Sequence, residues 1–161
     1  MFTSSQLRAV VSPETVSVRE HRLDDVVGQL EVSGPVTPEN VGIVARRIDF
    51  ALTNGVRWLI VDLGGAVEVS DPMVAALVAT ARELRSRRGE LIVAGAAPDV
   101  AQRMGAFEVA HRPALAGNVD QAIMILKMLR PKTKIERPAS RAKQRVTSLT
   151  LPRIEPRSLA Q

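Results

Sequence analysis

The sequence of 161 residues contains no cysteine and only two histidines. Without cysteine, the chain can form no disulfide, thiolate metal site or cysteine nucleophile, and nothing indicates an oxidising compartment. His21 and His111 lie far apart in the sequence, and neither belongs to a metal-ligand spacing such as HExxH. We therefore expect no metal site, no catalytic residue and no cofactor.

Long apolar runs are also missing. The first 15 residues, MFTSSQLRAVVSPET, lack the apolar segment of about 7–15 residues that a signal peptide requires. No later segment approaches the roughly 18 consecutive apolar residues of a membrane-spanning helix. The sequence therefore predicts a cytoplasmic protein with no membrane partner.

Aromatic residues make up only 2% of the chain, and the formal net charge of +5 is unevenly distributed. Residues 131–161, the basic tail, carry eight Lys or Arg and two Glu, a net charge of +6. The tail has four prolines and no sustained helical period, which is typical of a disordered extension. We predict an N-terminal extension over residues 1–14, a folded domain over residues 15–130, and the basic tail.

The first half of the middle segment predicts a β-hairpin followed by a helix. Two alternating or β-branched runs, residues 16–23 and 26–32, are joined by Asp24-Asp25. Thr37 is then expected to cap a helix that has Pro38 at its first position and ends at Asn54-Gly55. The apolar face of this helix would contain Val41, Val44, Ile48, Ala51 and Leu52.

The second half alternates strands and helices. RWLIVDL is a nearly continuous apolar run, typical of a strand covered on both faces. A helix is expected to begin at Ser70, Asp71 and Pro72 and to end at Gly89, with an apolar stripe of Val74, Leu77, Val78, Ala81 and Leu84. ELIVAG predicts a strand, PDVAQRMG a short helix, FEVAHR an edge strand, and NVDQAIMILKMLR a last helix capped by Asn118. The order predicts an α/β fold with a mixed sheet and four helices.

This order of elements resembles the STAS domain, the fold of bacterial anti-sigma factor antagonists. The likeness rests on the strand LIVDL, the loop GGAVEVSD, the helix from Pro72, the segment RRGELIVAG, the segment PDVAQRMGAFEVA, and NVDQAI. It spans roughly residues 15 to 130. The alternative is a flavodoxin-like regulator, which needs a helix between its first two strands, and Asp24-Asp25 leave no room for one.

The resemblance draws attention to the junction before the second predicted helix. In the family this junction usually reads Asp-Ser-Ser/Thr-Gly, and a partner that is both kinase and anti-sigma factor phosphorylates the second hydroxyl residue. This sequence has Ser70-Asp71-Pro72-Met73 instead. The resemblance implies an anti-sigma factor partner of serine-kinase type. Because Pro72 has no hydroxyl, the standard phosphorylation cannot occur at this position. Ser70 and, in the basic sequence RPASRAK, Ser140 remain as candidate phosphorylation sites.

Several interpretations of this junction stay open. It could serve as a helix start alone, because the Asp71 carboxylate can accept hydrogen bonds from free backbone amides. It could be a docking surface, or a switch moved to Ser70. Catalysis would need a base beside a nucleophile, a glycine-rich phosphate loop or a pair of convergent carboxylates, and the junction has none of these.

The main functional hypothesis is a non-enzymatic interaction module that docks onto an anti-sigma factor and frees a sigma factor for transcription, as in a bacterial stress response. The expected partner-binding residues, near Pro35-Val36, are Val69, Ser70, Asp71, Pro72, Met73, Val74 and Arg103. The apolar ones would supply affinity and Asp71 charge complementarity, unless they only complete the domain's own core. The alternatives are a STAS-type sensor or scaffold, and weak nucleic-acid or anionic-surface binding through the basic tail.

Overall fold

The computed structural model describes residues 15–130, which form a five-stranded sheet with helices on both faces. The elements, in chain order, are β1 (Ser17–Arg22), β2 (Val27–Val36), α1 (Val41–Thr53), β3 (Trp58–Val69), α2 (Asp71–Ser86), β4 (Glu90–Ala94), α3 (Pro98–Met104), β5 (Ala114–Ala116) and α4 (Val119–Leu129). A 3₁₀ turn, Val109–His111, precedes β5. The predicted N-terminal extension and basic tail, including Ser140, lie outside the described residues.

The sheet has the order β1-β2-β3-β4-β5. Strands β1 and β2 pair antiparallel across the Asp24-Asp25 turn, and the three remaining pairs are parallel. Each parallel pair is joined by a helical crossover, as parallel neighbours require. The predicted fold class, a mixed sheet that opens with an antiparallel hairpin and carries four helices within residues 15–130, is confirmed.

Two cores cover the two faces of the sheet. The larger core buries Leu59, Val61 and Leu63 of β3 against α1, α2 and α3. The smaller core buries Ile60 of β3 and Ile92 of β4 against α4. This alternation explains why RWLIVDL is apolar at almost every position: both faces of the strand are covered. The apolar stripe predicted for α2, from Val74 to Leu84, is also buried.

The predicted start of the first helix is wrong. Helix α1 begins at Val41, and Thr37 and Asn40 close a hydrogen-bonded turn before it. The Thr37 amide donates to Asn40 Oδ1 at 2.8 Å, and the Asn40 amide donates to Thr37 Oγ1 at 3.3 Å. This reciprocal pair and the bond from the Val41 amide to the Thr37 carbonyl at 3.0 Å form a capped turn of residues 37–41, so the regular helix begins three residues later than predicted and Pro38 lies before it.

Two further predictions fail at the ends of strands. The segment GGAVEV, expected to be a loop, forms the second half of β3 and pairs with the end of β2 through Ser33↔Gly65 and Val36↔Val69. Two register shifts accommodate this pairing, so the side-chain alternation that would signal a strand is broken. FEVAHR is not a strand; it contains the 3₁₀ turn, and the edge strand β5 follows it.

None of the helices within residues 15–130 combines the length and the apolar character needed to cross a lipid bilayer.

Candidate docking site

Strand β3 extends well beyond its neighbour β4. Strand β4 ends at Ala94, opposite Asp62, whereas β3 continues to Val69. Helix α2 then begins without an intervening loop, and the Ser70 amide donates to the Val36 carbonyl at 2.9 Å. This bond fixes the start of α2 to the end of the β2–β3 pair. The junction therefore lies at the carboxyl ends of the parallel strands.

The start of α2 is built differently from the sequence expectation. Ser70 is the N-cap residue, with extended backbone angles of φ −76° and ψ 163°, and its carbonyl accepts the amides of Met73 and Val74. Its side chain makes no capping bond, and the Ser70 Oγ is buried without a hydrogen-bond partner among residues 15–130. Asp71 is already the first helical residue. Its carboxylate pairs with Arg103 instead of capping the helix.

Arg103, in the last turn of α3, connects three groups around this junction. Its Nη1 donates to Asp71 Oδ1 at 2.7 Å. Its Nη2 donates to the Val69 carbonyl at 2.6 Å and to Asp99 Oδ2 at 3.2 Å. The hydrogen bond to Asp71, helped by the one to Asp99, raises the pKa of Arg103 above its ordinary value. A single permanent cation therefore ties the end of β3, the start of α2 and helix α3 together.

The seven residues expected to bind a partner divide into two groups. Val69 is 8% exposed, Val74 is 3% exposed and Met73 is fully buried, and all three belong to the larger core. The expectation that these side chains offer an apolar docking surface is therefore not met, because they pack inside the domain. Ser70, Asp71, Pro72 and Arg103 surround the junction, and among them Asp71 and Pro72 are exposed.

The structure adds three residues that the sequence analysis did not select. Val67 is 79% exposed on the projecting part of β3, and Glu68 beside it is also exposed. Asp99 joins the site through Arg103. The four-residue spacing of Asp99 and Arg103 on a predicted helix was a usable signal, because such residues face each other. Val67 and Glu68 carry no such signal, because the sequence GGAVEV is typical of a loop.

A crevice of about 420 Å³ lies between the projecting part of β3 and the segment from Gly95 to Arg103. It occupies the carboxyl ends of parallel strands, the usual place for a binding site in an open α/β sheet. Gly64 and Gly95 approach closely there: a Cβ on Gly95, whose φ is +72°, would lie 3.1 Å from the Gly64 backbone. The lining of the crevice also includes Glu68, Asp99 and Arg103.

Within residues 15–130, no group of three His, Asp or Glu could hold a metal.

This arrangement is suited to recognition. It presents an exposed carboxylate, Asp71, on a helix terminus whose position is fixed by backbone and guanidinium hydrogen bonds. Next to it lie an exposed apolar side chain, Val67, and a crevice with a charged rim. A rigid surface of this kind can bind another macromolecule without a large ordering cost.

Three solved structures illustrate what the chain is similar to. An anti-sigma factor antagonist from Mycobacterium paratuberculosis has 17% sequence identity and a TM-score of 0.62, over 72% of this chain and 97% of that chain. The Bacillus cell fate determinant SpoIIAA, in its phosphorylated form, has 14% identity and a TM-score of 0.57, over 68% and 98%. The murine anion transporter Slc26a9 has 12% identity and a TM-score of 0.57, over 77% of this chain but 24% of the transporter. At these identities the likeness shows the fold.

No curated protein sequence matches the chain. The family model of the STAS domain matches residues 18–122, nearly the whole described domain. The sheet order, the antiparallel opening hairpin and the helix that starts directly after the long third strand agree with this match. The chain belongs to the STAS domain family.

Proposed function

We propose that this STAS domain is a non-enzymatic anti-sigma factor antagonist. It binds an anti-sigma factor of serine-kinase type in the cytoplasm and thereby frees a sigma factor for transcription, as in bacterial stress regulation. The observation that carries this proposal is the start of α2, where an exposed Asp71 is held in a fixed position by Arg103. The likeness to an anti-sigma factor antagonist from Mycobacterium paratuberculosis supports it.

Fixed geometry is the first argument for docking at this surface. The Ser70 amide is bonded to β2, and Arg103 holds both Asp71 and the Val69 carbonyl. Few side chains at the start of α2 would lose freedom when a partner binds, so little of the interaction energy is spent on ordering them. The buried residues Met73 and Val74 contribute indirectly, because they anchor this first turn in the core.

The exposed chemistry is the second argument. The Asp71 side chain is 86% exposed although Arg103 binds one of its oxygens, so it can accept a further hydrogen bond from a partner cation. Val67, on the neighbouring strand end, offers apolar surface beside that charge. An apolar contact next to a polar one is the usual composition of a specific interface.

Regulation at this surface follows from Pro72, which has no hydroxyl to accept a phosphate. We expect the junction to be constitutively competent to bind. Control by phosphorylation would then act at Ser70 or Ser140. The Ser70 hydroxyl is buried, so a kinase could reach it only after the start of α2 opens locally. That requirement favours Ser140 over Ser70 as a site of control.

The proposal is tested by capturing partners from the native cytoplasm on the full chain. Mass spectrometry should identify a protein with an ATPase-type kinase fold that also binds a sigma factor. Asp71→Asn should lose this capture, whereas Asp49→Asn, the same change at an exposed carboxylate on α1, should keep it. Capture that depends on nucleic acid and disappears with nuclease would instead favour the alternative function of the basic tail.

A STAS-type sensor or scaffold is the second candidate function, and the crevice beside Gly64 and Gly95 is the observation that favours it. Its volume falls within the range of small-ligand pockets, about 300–1,000 Å³. A screen of small metabolites by thermal unfolding would test this alternative. A ligand that stabilises the full chain, and whose effect is lost when Ala97→Phe fills the crevice from an exposed position of its lining, would support a sensor.

A further inference from the structure

Helix α4 is apolar on the side that the domain does not cover. Among residues 122–129, AIMILKML, only Lys127 is polar. The residues that face the sheet are buried in the smaller core. Three large apolar side chains of α4 remain exposed, Met124 at 63%, Met128 at 75% and Leu129 at 53%, and we call them the α4 patch. Because a helix that is apolar all round is normally buried, the α4 patch indicates a contact beyond the described domain.

A run of basic residues follows the α4 patch directly. Residues 131–145 carry six Lys or Arg and one Glu, and the only acidic residue of α4, Asp120, lies in its first turn at the opposite end. We propose that the α4 patch and residues 131–145 together bind an anionic lipid surface. The apolar side chains enter the boundary between headgroups and acyl chains, while the basic residues are attracted by the negative charge of the headgroups.

The two parts of this surface are adjacent in the chain. Helix α4 ends at Leu129, which belongs to the α4 patch. At about 3.6 Å per residue, Lys132 and Lys134 lie within about 11 Å and about 18 Å of Leu129. The basic run therefore begins where the α4 patch ends, and the chain does not have to fold back for both parts to touch one lipid surface.

The size and chemistry of this surface favour lipid over other partners. A standard protein interface uses about 20–30 residues from each partner, whereas the α4 patch offers three, so a second copy of the chain would gain little here. A nucleic acid could attract the basic run, but it has no apolar layer to receive the methionines. An anionic lipid surface fits both features, because its binding strength combines buried apolar area with charge.

The missing membrane-spanning segment does not oppose this contact, because a peripheral contact with the lipid surface requires none. Helix α4 covers the face of the sheet that contains Ile60 and Ile92, whereas α1, α2 and α3 cover the other face. A lipid surface against α4 therefore leaves the exposed Asp71 at the start of α2 accessible. Lipid binding and the proposed docking of an anti-sigma factor use different surfaces, and neither requires the other.

Sedimentation of the full chain with lipid vesicles tests the charged part of the contact. The protein should bind mixed vesicles, made of phosphatidylcholine and phosphatidylserine in equal parts, at least about tenfold more tightly than vesicles of phosphatidylcholine alone. Lys132→Gln combined with Lys134→Gln should weaken binding to the mixed vesicles about thirtyfold. Arg46→Gln combined with Arg82→Gln changes two exposed arginines on α1 and α2, and this matched control should leave binding unchanged.

A second pair of variants tests the apolar part. Met124→Gln combined with Met128→Gln should weaken binding to the mixed vesicles about tenfold or more, because two side chains lose their contact with the acyl chains. Ile43→Gln combined with Phe50→Gln changes two exposed apolar residues of α1, on the other face of the sheet, and should leave binding unchanged. Thermal unfolding of each variant shows that it is folded.

The absence of cysteine allows a direct test of insertion. A polarity-sensitive fluorophore on Met128→Cys in the full chain is attached to the only thiol. Its emission should shift to shorter wavelength when the mixed vesicles are added, because the label enters an apolar layer. The same label on Phe50→Cys should show no shift.

Three outcomes would overturn the proposal. The first is binding to the mixed vesicles that is no tighter than binding to phosphatidylcholine alone. The second is unchanged binding by the methionine variant, or no shift of the label at position 128, since the basic run would then act alone on any polyanion. The third is a label at position 128 that is already in an apolar environment without vesicles, which would assign the α4 patch to another part of the chain or to a second copy.

None of these measurements contains an anti-sigma factor. Failure of the chain to bind the mixed vesicles therefore contradicts this inference without affecting the proposed function. Failure to capture an anti-sigma factor contradicts the proposed function and leaves the lipid contact to be decided by its own measurement.

Discussion

Single residues fix the geometry of the candidate site, and Arg103 makes more hydrogen bonds between its elements than any other described residue. It is the only residue within the described range that bonds the end of β3, the start of α2 and a carboxylate of α3. The planar fork of an arginine can serve several acceptors at once, whereas a lysine ammonium acts as a compact charge on a flexible stem. The arrangement therefore depends on the shape of this side chain as well as its charge.

Arg103→Lys should consequently loosen the start of α2 while keeping the charge. We expect a loss of about 1 kcal/mol in the free energy of unfolding, because the site is partly exposed and solvent screens its pairs. Urea unfolding followed by the fluorescence of Trp58, the only tryptophan, measures this. Arg82→Lys, an exposed arginine on α2 without an ion pair to another described residue, is the control and should change stability by less than about 0.5 kcal/mol. Equal effects of the two variants would contradict the structural role of Arg103.

Gly89 illustrates a second kind of single-residue requirement. A Cβ built on Gly89 would lie 1.6 Å from the Arg57 carbonyl oxygen, which the Glu90 amide binds at 3.0 Å. Gly89→Ala must therefore move the backbone between α2 and β4, and we expect a loss of about 3 kcal/mol or more in unfolding free energy. Gly42→Ala in α1 is the matched control, because no atom lies within 4 Å of its added Cβ. It should stabilise by about 0.5–1 kcal/mol, and chemical unfolding of both variants distinguishes the two sites.

The starts of two helices are stabilised in different ways, one by a local side-chain cap and the other by tertiary hydrogen bonds. Helix α4 is capped as the sequence predicts: the Gln121 amide donates to Asn118 Oδ1 at 2.8 Å. Helix α2 has a serine at the equivalent position, but its hydroxyl caps nothing. Its orientation is instead fixed by the Ser70 amide bond to β2 and by Arg103. An N-cap residue in the sequence therefore identifies where a helix begins but not which bond stabilises it.

Asn118→Ala and Ser70→Ala should consequently differ. Loss of the Asn118 cap should cost about 1 kcal/mol. Ser70→Ala removes a buried hydroxyl that has no partner among the described residues, so we expect no loss of stability and a gain of up to about 1 kcal/mol. Thermal unfolding of the two variants against the unmodified chain measures this. A loss at Ser70 as large as that at Asn118 would mean that the Ser70 hydroxyl does form a cap in solution.

The pattern of side chains predicts most of the elements but not how they end. RWLIVDL could be recognised because burial of both faces makes the strand almost continuously apolar, and the stripe of α2 because burial of one face gives a helical period. GGAVEV has neither signal, since two register shifts in its pairing with β2 interrupt the regular side-chain order of the strand. FEVAHR has the composition of a strand, yet the Arg85 guanidinium binds the carbonyls of Ala110 and Arg112 and holds this segment away from the sheet. Contacts between distant residues decided both cases.

The same limit applies to the candidate site. The position of the junction could be predicted from the resemblance, and Asp71 and Arg103, which the structure brings together as an ion pair, were both among the candidate residues. The burial of Val69, Met73 and Val74 could not, because an apolar residue at a helix start can face either the core or a partner. Only the packing of α2 against the sheet distinguishes the two. The exposed Val67 depends on the projection of β3 past β4, which is a property of the whole sheet.

At the scale of the molecule, the charges of the chain divide between the described domain and the basic tail. We expect limited trypsin digestion to remove residues within the tail first, because it combines seven cleavage sites with a composition typical of a disordered extension; the eighth basic residue, Arg137, precedes a proline and is resistant. A stable fragment ending near Arg130 should remain, identified by mass spectrometry. Protection of residues 132–145 equal to that of the core would contradict this division of the chain.

The whole account depends on the start of α2 being the surface that binds an anti-sigma factor. Asp71→Asn tests this most directly, because it removes the charge while the helix start remains bonded through its backbone and the core residues beneath it. Unfolding free energy should change by less than about 1 kcal/mol, whereas removal of one partner of an interfacial charge pair costs about 2–5 kcal/mol of binding.

Isothermal titration calorimetry of the full chain with the captured anti-sigma factor is therefore the decisive measurement. The account predicts that Asp71→Asn weakens binding by roughly thirtyfold or more, since every 1.4 kcal/mol is a factor of ten, and that Asp49→Asn leaves the affinity unchanged. An Asp71→Asn variant that is folded and binds as tightly as the unmodified chain would contradict it.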